Sequence, residues 1–332
     1  MRKTVAQLIQ EEEDTNLRPK SLSEYIGQNE VKEALSIAIE ASKIRKKPVD
    51  HILLYGPPGM GKTTIANILA NEMGSRLLKS SGPAITSPRD LATIVAKLEE
   101  GDVLFIDEIH RLSHQAEEML YPAMEDFVLH LTLGKGPSAD AREIPLSPFT
   151  LVGATTRAGL LTGPLRDRFG IVFRLSYYTL EEICQIVKRS AKIYGFEIDE
   201  EVALSIAKRS RGTPRIANRL LKRAIDYALA RNKGILSMST VKKTFQMLKI
   251  DSLGLDEMDR RLLKTLALKY HGGPLGLETI CAVLGEDRGT VEDIYEPFLL
   301  QSGLLERTPR GRVLTQKALK FLKLNEQEEL FE

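Results

Sequence analysis

The run Gly56-Pro57-Pro58-Gly59-Met60-Gly61-Lys62-Thr63-Thr64 holds residue types that can cradle phosphate. It fits the spacing G-x-x-x-x-G-K-[S/T] in full. Gly56, Gly59 and Gly61 let the backbone curl and aim several N–H groups at one point. A helix starting there adds its partial positive charge. Lys62 can reach the outer phosphates of a nucleotide, and the Thr63 hydroxyl can hold Mg²⁺. The alternative, an ordinary Gly/Pro-rich strand-to-helix turn, would not need the Lys-Thr pair. A second constellation follows in Val103-Leu104-Phe105-Ile106-Asp107-Glu108, an apolar run ending in two carboxylates. Asp107 suits Mg²⁺ held through water, and Glu108 suits polarising an attacking water. The alternative is an Asp-Glu pair capping the next helix.

Three weaker signals lie further on. Gly153-Ala154-Thr155-Thr156-Arg157 offers two hydroxyls at a strand tip, and either Thr155 or Thr156 can sense a terminal phosphate. Leu165-Arg166-Asp167-Arg168-Phe169 offers two arginines in a short helix or loop, one of which can reach the nucleotide of a neighbouring subunit. Its alternative is a surface Arg–Asp pair of little energetic weight. Gly212-Thr213-Pro214-Arg215 opens a helix, with Pro214 suited to the first turn and Arg215 near the phosphates. His110 and His114 are spaced to share a metal, but no third ligand type is nearby, so a metal site is not expected. Asp107-Glu108-Ile109-His110 also fits a D-E-x-H helicase box, which rests on the same kind of strand.

These residues need elements to position them. His51–Tyr55 reads as a buried strand before the phosphate loop, and Thr63–Met73 as an amphipathic helix after it. Strands and helices alternate from Ser21 to about Ser176: helix Val31–Lys46, helix Asp90–Leu98, strand Val103–Ile106, helix Gln115–Met124, strands Thr150–Ala154 and Ile171–Arg174. Such alternation predicts a parallel sheet covered by helices. Its strands read as continuous apolar runs because both faces are buried. Asp126 to Leu146 breaks the rhythm with two short strands about a turn at Gly134–Ser138. This inserted hairpin, about 127–147, is either a partner-binding device or a solvent-exposed decoration.

From Thr179 to about Gly254 the pattern is helical only, with fifteen Lys/Arg against eight Asp/Glu from Glu181. Solvated helix faces explain that excess equally well. From Leu255 three helices (Asp256–Tyr270, Leu277–Leu284, Arg288–Ser302) precede a hairpin turning at Thr308-Pro309-Arg310-Gly311, the order of a winged helix. The stretch Leu304–Lys323 carries Arg307, Arg310, Arg312, Lys317, Lys320 and Lys323 against Glu306 alone. That asymmetry fits a phosphate-binding edge, with a protein-contact wing as the alternative.

The whole chain sets loose bounds. Its 332 residues exceed one ordinary core. Apolar content of 42% and charged content of 28% fit a soluble globular protein, and a net charge of +2 announces no nucleic acid by itself. The two cysteines, Cys184 and Cys281, are far apart and read as reduced core residues of a cytosolic protein. No apolar run is long enough to span a membrane, and the acidic N-terminus is no secretory signal.

Together these residues resemble the AAA+ ATPases and, within them, the RuvB family of bacterial Holliday-junction branch-migration motors. The stretches LFIDEIHRLS, LYPAMEDF, FTLVGATTRAG, PLRDRFGI, RSRGTPRIANRL and RTPRGR carry the resemblance, which spans nearly the whole chain. It implies an α/β AAA+ P-loop core with a parallel sheet, an all-helical lid domain and a C-terminal winged helix. The expected bounds are 1–20 for a flexible N-terminal segment and adenine-pocket edge, 21–178, 179–254 and 255–332. It implies ATP/ADP and Mg²⁺ as cofactors. Expected partners are duplex DNA at Holliday junctions, RuvA through the inserted hairpin, RuvC in a resolvasome, and the chain itself as a homohexamer. It places the work in the cytoplasm, in DNA recombination, repair and the SOS response to damage.

By resemblance, Leu17 and Arg18 border the adenine, and Tyr178 borders the nucleotide at the domain junction. Gly59, Gly61, Lys62, Thr63 and Thr64 form the phosphate loop, with Asp107 and Glu108 as the Walker B pair. Thr156 is the first sensor, Arg168 the finger acting in trans and Arg215 the second sensor. Arg307, Arg310 and Arg312 form a DNA-contacting wing. Two other classes remain open on sequence: a clamp-loader-like protein switch, and a DNA-binding regulator using ATP structurally.

Overall fold

The computed structural model describes residues 17–133 and 140–328. Residues 1–16 of the expected flexible segment 1–20, and the expected hairpin turn at Gly134–Ser138, lie outside the described residues.

Five parallel strands form the central sheet: β1 (Ile52–Tyr55), β2 (Leu77–Ser81), β3 (Val103–Asp107), β6 (Thr150–Thr155) and β7 (Ile171–Arg174), in the order β2-β3-β6-β1-β7. Leu53, Leu54, Leu104, Ile106, Leu151 and Val152 are shielded almost completely, which is why these strands read as unbroken apolar runs. The order matters for the site. β6 lies between β1 and β3, pairing Tyr55 with Thr155 and Ile106 with Gly153. The C-terminal ends of the strands that carry the phosphate loop, the paired carboxylates and the Thr155-Thr156 tip are therefore side by side.

The edge strand β2 is an addition to the sequence expectation. Its sequence Leu-Leu-Lys-Ser-Ser is short and half-buried for most of its length, so neither a continuous apolar run nor clean alternation marks it. A charged residue at mid-strand is a common way to protect an edge from pairing with another chain.

Among the described residues, five α-helices accompany the sheet: α1 (Asn29–Arg45), α2 (Lys62–Met73), α3 (Pro88–Val95), α4 (His114–Glu125) and α5 (Gly163–Asp167). Their starts are specified locally. Ser87 and Asp90 form a capping box on α3, while Ser113 caps α4 and Thr162 caps α5 through their hydroxyls. β4 (Val128–Leu133) and β5 (Asp140–Pro145) pair antiparallel as the separate two-stranded hairpin expected from the sequence. Leu120, Phe149, Leu165 and Phe169 join strand residues in one core beneath this face.

The helical segment holds α6 (Leu180–Ile193), α7 (Glu200–Lys208), α8 (Pro214–Arg231) and α9 (Met238–Met247). Compactness divides the chain into two units. The first comprises residues 1–197 and 212–218, and the second 198–211 and 219–332. In the second unit, α10 (Glu257–Tyr270), α11 (Leu277–Leu284), α12 (Glu296–Gln301) and α13 (Gln316–Glu328) accompany the hairpin β8 (Leu305–Thr308) and β9 (Gly311–Leu314). Leu263, Leu266, Ile280, Leu299, Leu304 and Leu314 form its core.

The helix expected over Arg288–Ser302 is not uniform. An α-turn at Arg288–Thr290 passes into a π-turn at Val291–Tyr295 before α12. Pro297, in the first turn of α12, has no N–H to give and crowds the preceding turn, which accounts for the widened coil.

A polar network ties α10 to the end of the α7 segment. Arg211 pairs with Asp259 at 2.6 Å and Asp256 at 3.1 Å, donates to the Gly254 carbonyl and lies over the Phe298 ring. Asp256 and Asp259 also form the capping box of α10.

Candidate nucleotide site and nucleic-acid interface

Gly61 sits at φ 99° and Gly59 at φ 82°, backbone conformations that L side chains rarely adopt. Space is restricted as well. A Cβ at Gly61 would lie 3.0 Å from the Tyr25 hydroxyl, and one at Gly59 would lie 3.1 Å from the Arg215 Cβ. The Tyr178 hydroxyl donates to the Met60 carbonyl at 3.2 Å, and the Tyr25 and Tyr178 hydroxyls are 2.9 Å apart. Burial pushes the Tyr178 phenol up to about 12 and the Tyr25 phenol well above its ordinary value, so both are neutral clamps on the loop. Tyr25 is not among the expected site residues. Nothing in spacing announces that a tyrosine far upstream in sequence will roof the phosphate loop.

Lys62 is buried and donates to the carbonyls of Gly56 at 2.8 Å and Pro57 at 2.9 Å. Burial lowers its ammonium to about 8, with the nearby Asp107 charge opposing the shift. Those carbonyl partners are modest ones for a cation, and a polyphosphate would replace them with charge-assisted bonds. Thr63 and Thr64 are half-buried in the first turn of α2. Asp107 Oδ1 accepts from the Glu108 backbone N–H at 2.9 Å. Glu108 itself is in the left-handed conformation at φ 48°. Its carboxylate meets Arg111 at 2.9 Å. Both partners of that pair are about half exposed, so it is weak and does not fix Glu108. This donor set fits a nucleotide with a hard divalent cation. Lys62 and the loop N–H groups would take the phosphates, while Thr63 and Asp107 would hold Mg²⁺.

The two threonines at the strand tip separate clearly. Thr155 is fully buried, and its hydroxyl is engaged by His110 Nδ1 at 2.9 Å and by the Arg157 N–H at 3.0 Å. Thr156 is exposed one residue beyond the strand. His110 thus serves Thr155, and His114 faces Glu118 at 3.4 Å, so the two histidines are separately occupied. Arg215 is exposed at the start of α8, beside Gly59. Leu17 is buried with its carbonyl accepting from Arg189 at 2.7 Å, and Arg18 is half-buried. Arg168 is pinned between Tyr121 and Glu125, whereas Arg166 is exposed.

Three family models cover the chain in order. They are described as the Holliday junction DNA helicase RuvB P-loop domain, over residues 17–175, the RuvB AAA lid domain, over 178–251, and the RuvB C-terminal winged helix domain, over 252–323. The chain belongs to the RuvB family. It is therefore an AAA+ ATPase with a parallel-sheet core, a lid and a winged helix.

Solved structures agree. Thermotoga maritima RuvB, described as a Holliday junction branch migration motor, is 51% identical with a TM-score of 0.84, over 93% of this chain and 98% of that one. A proline-to-glycine variant of the same protein is also 51% identical, with a TM-score of 0.85 over 92% and 98%.

In this RuvB-family chain the wing arginines divide into two kinds. Arg312 is largely buried and meets Glu296 at 2.7 Å; Arg307 is half exposed and meets the same carboxylate at 2.5 Å. Glu296 is only 1% exposed, and the two guanidinium groups hold its carboxyl below the usual range against the upward pull of burial. Arg310 stands exposed in the turn between β8 and β9. The expectation of three equivalent phosphate contacts takes no account of Glu296, which lies in a preceding helix. Sequence offers no signal for that pairing.

Proposed function

We propose that this chain is an ATP-driven motor that translocates duplex DNA and drives branch migration at Holliday junctions, as a hexameric ring loaded by RuvA with RuvC acting downstream. The observation that carries the reading is the presence, on one chain and in order, of all three RuvB domains around an intact phosphate loop and Walker B pair. The solved RuvB most directly named for this activity is half identical over nearly its whole length.

In this reading Lys62 and the loop amides bind and orient ATP, with Leu17, Arg18 and Tyr178 around the base and sugar. Mg²⁺ supplies charge neutralisation on the phosphates when bound at Thr63 and Asp107. Glu108 takes the proton of the attacking water. Thr156, exposed beyond the strand tip, reports the terminal phosphate, and Arg215 does so from the lid side. Arg168 stabilises the transition state on a neighbouring copy. Arg310 contacts DNA phosphate, with Arg307 partly available and Arg312 chiefly holding the wing. The hairpin 127–147 receives RuvA. Two buried free cysteines suit a reducing cytoplasm, and no helix among the described residues is long and apolar enough to cross a membrane. Participation in the SOS response rests on family membership alone.

The test is steady-state ATP hydrolysis with and without duplex DNA and RuvA, alongside migration of a synthetic four-way junction. Hydrolysis should rise with DNA plus RuvA, and the junction should resolve into duplex products only with ATP. Hydrolysis indifferent to DNA would favour a nucleotide-dependent switch. Shortening the hairpin tip, 135–141, should spare basal hydrolysis and abolish stimulation by RuvA; retained stimulation would place RuvA elsewhere.

A further inference from the structure

Arg168 does not extend freely from its short helix. Its guanidinium lies over the Tyr121 ring, 4.3 Å from the centroid, and is 3.1 Å from Glu125. It also donates to the Pro164 carbonyl at 2.7 Å. The side chain is 23% exposed, and its Nε is buried with no hydrogen-bond partner among the described residues. An unpaired buried donor on an arginine is costly and asks for a reason.

The ring beneath it is fixed in turn. The Tyr121 hydroxyl donates to Glu117 at 2.6 Å, and Glu117 is buried. The same carboxylate oxygen accepts from the Thr162 hydroxyl, and Thr162 caps α5 by accepting from the Leu165 N–H at 3.3 Å. One buried carboxylate therefore staples α4, which carries Tyr121 and Glu125, to the start of α5, which leads to Arg168. Arg166, two residues earlier, is exposed and shares none of these contacts.

We propose that Tyr121 is the positioning residue for Arg168. Its anchored ring holds the guanidinium at the protein surface in one orientation, and Glu125 balances the charge until the phosphates of a second copy of this chain replace it. A long arginine searching many rotamers would lose most of its effect on a transition state. A ring that removes the search keeps it. The inference rests on the reading that Arg168 acts on a neighbour's nucleotide.

The experiment uses the full chain assembled on duplex DNA. Tyr121→Leu should lower kcat by about 10- to 100-fold, the scale of misplaced catalytic groups, while ATP affinity holds. Tyr121→Phe, which keeps the ring, should restore at least half of native turnover. Adding Lys62→Ala subunits, silent alone, should then raise turnover by Tyr121→Leu subunits, because an intact Arg168 now faces their intact phosphate loops. Misfolding alone would not be rescued by a silent partner. Should Tyr121→Leu not fold, Tyr121→Met fills the same space without an aromatic face and is held to the same outcomes. Turnover within twofold of native would overturn the proposal. So would failure of rescue where Arg168→Ala subunits are rescued by Lys62→Ala. Failure to rescue Arg168→Ala in mixed rings overturns the trans reading itself, and the inference falls with it.

Discussion

Lys62 shows how one residue's environment sets a measurable property of binding. In the free protein its ammonium is lowered to about 8, chiefly by burial. Phosphate oxygens favour the charged form and raise it again on binding. Above pH 8 binding must therefore take up a proton, and nucleotide affinity should fall by up to about tenfold per pH unit. Titration with a fluorescent ATP analogue between pH 7 and 9.5 checks this; a flat affinity would show that Lys62 stays charged throughout. Glu108 should behave differently from Lys62 under substitution. Glu108→Gln keeps the phosphate and Mg²⁺ ligands, so ATP should bind near normally while turnover collapses. Lys62→Ala should lose affinity itself. Equal loss of affinity in both would make Glu108 a structural residue, held for its left-handed turn at φ 48°.

The wing is an element with two jobs for its arginines. Arg312 and Arg307 grip buried Glu296 and fix the hairpin against α12, while Arg310 stands exposed in the turn. Removing one cation that binds a DNA phosphate should flatten the dependence of log K on log salt by roughly 0.9. Arg310→Ala should do that equally on duplexes of unrelated sequence, with no change in melting temperature. Glu296→Ala should instead destabilise the winged helix by about 3–5 kcal/mol, because it strands the largely buried Arg312. Salt titrations and thermal melts on the same two variants separate the roles. A salt slope unchanged by Arg310→Ala would mark the wing as a protein-contact surface.

Within the second unit the Arg211 network joins residues far apart in sequence and is strongly polar. Burial raises Asp259 to about 6, with Arg211 opposing the rise. A carboxyl raised above its unfolded value gives stability that is present at low pH and lost as pH rises through the folded value. Arg211→Met removes the opposing charge. It should cost about 3–5 kcal/mol at pH 8, and less at pH 5.5 where Asp259 is protonated. Urea unfolding of native and variant chains at both pH values tests the sign. A loss that is equal at the two pH values would mean that Asp259 is not the stranded group.

Sequence alone determined the chemistry that depends on neighbours in the chain. The phosphate loop, the strand ending in Asp107-Glu108 and the wing turn are all local, since backbone conformation is set within a few residues. The parallel sheet followed from alternation and unbroken apolar runs. What escaped the sequence depends on contacts between distant segments. β2 escaped because its Leu-Leu-Lys-Ser-Ser shows neither a continuous apolar run nor clean alternation. That Thr155 is buried against His110 while Thr156 stands exposed became visible only in the tertiary structure. Tyr25 over the loop, Tyr121 under Arg168 and Glu296 beneath the wing are brought to their partners by packing. A side chain's charge and shape are written in the sequence, but which cation, hydroxyl or ring it meets is decided only when the layers close.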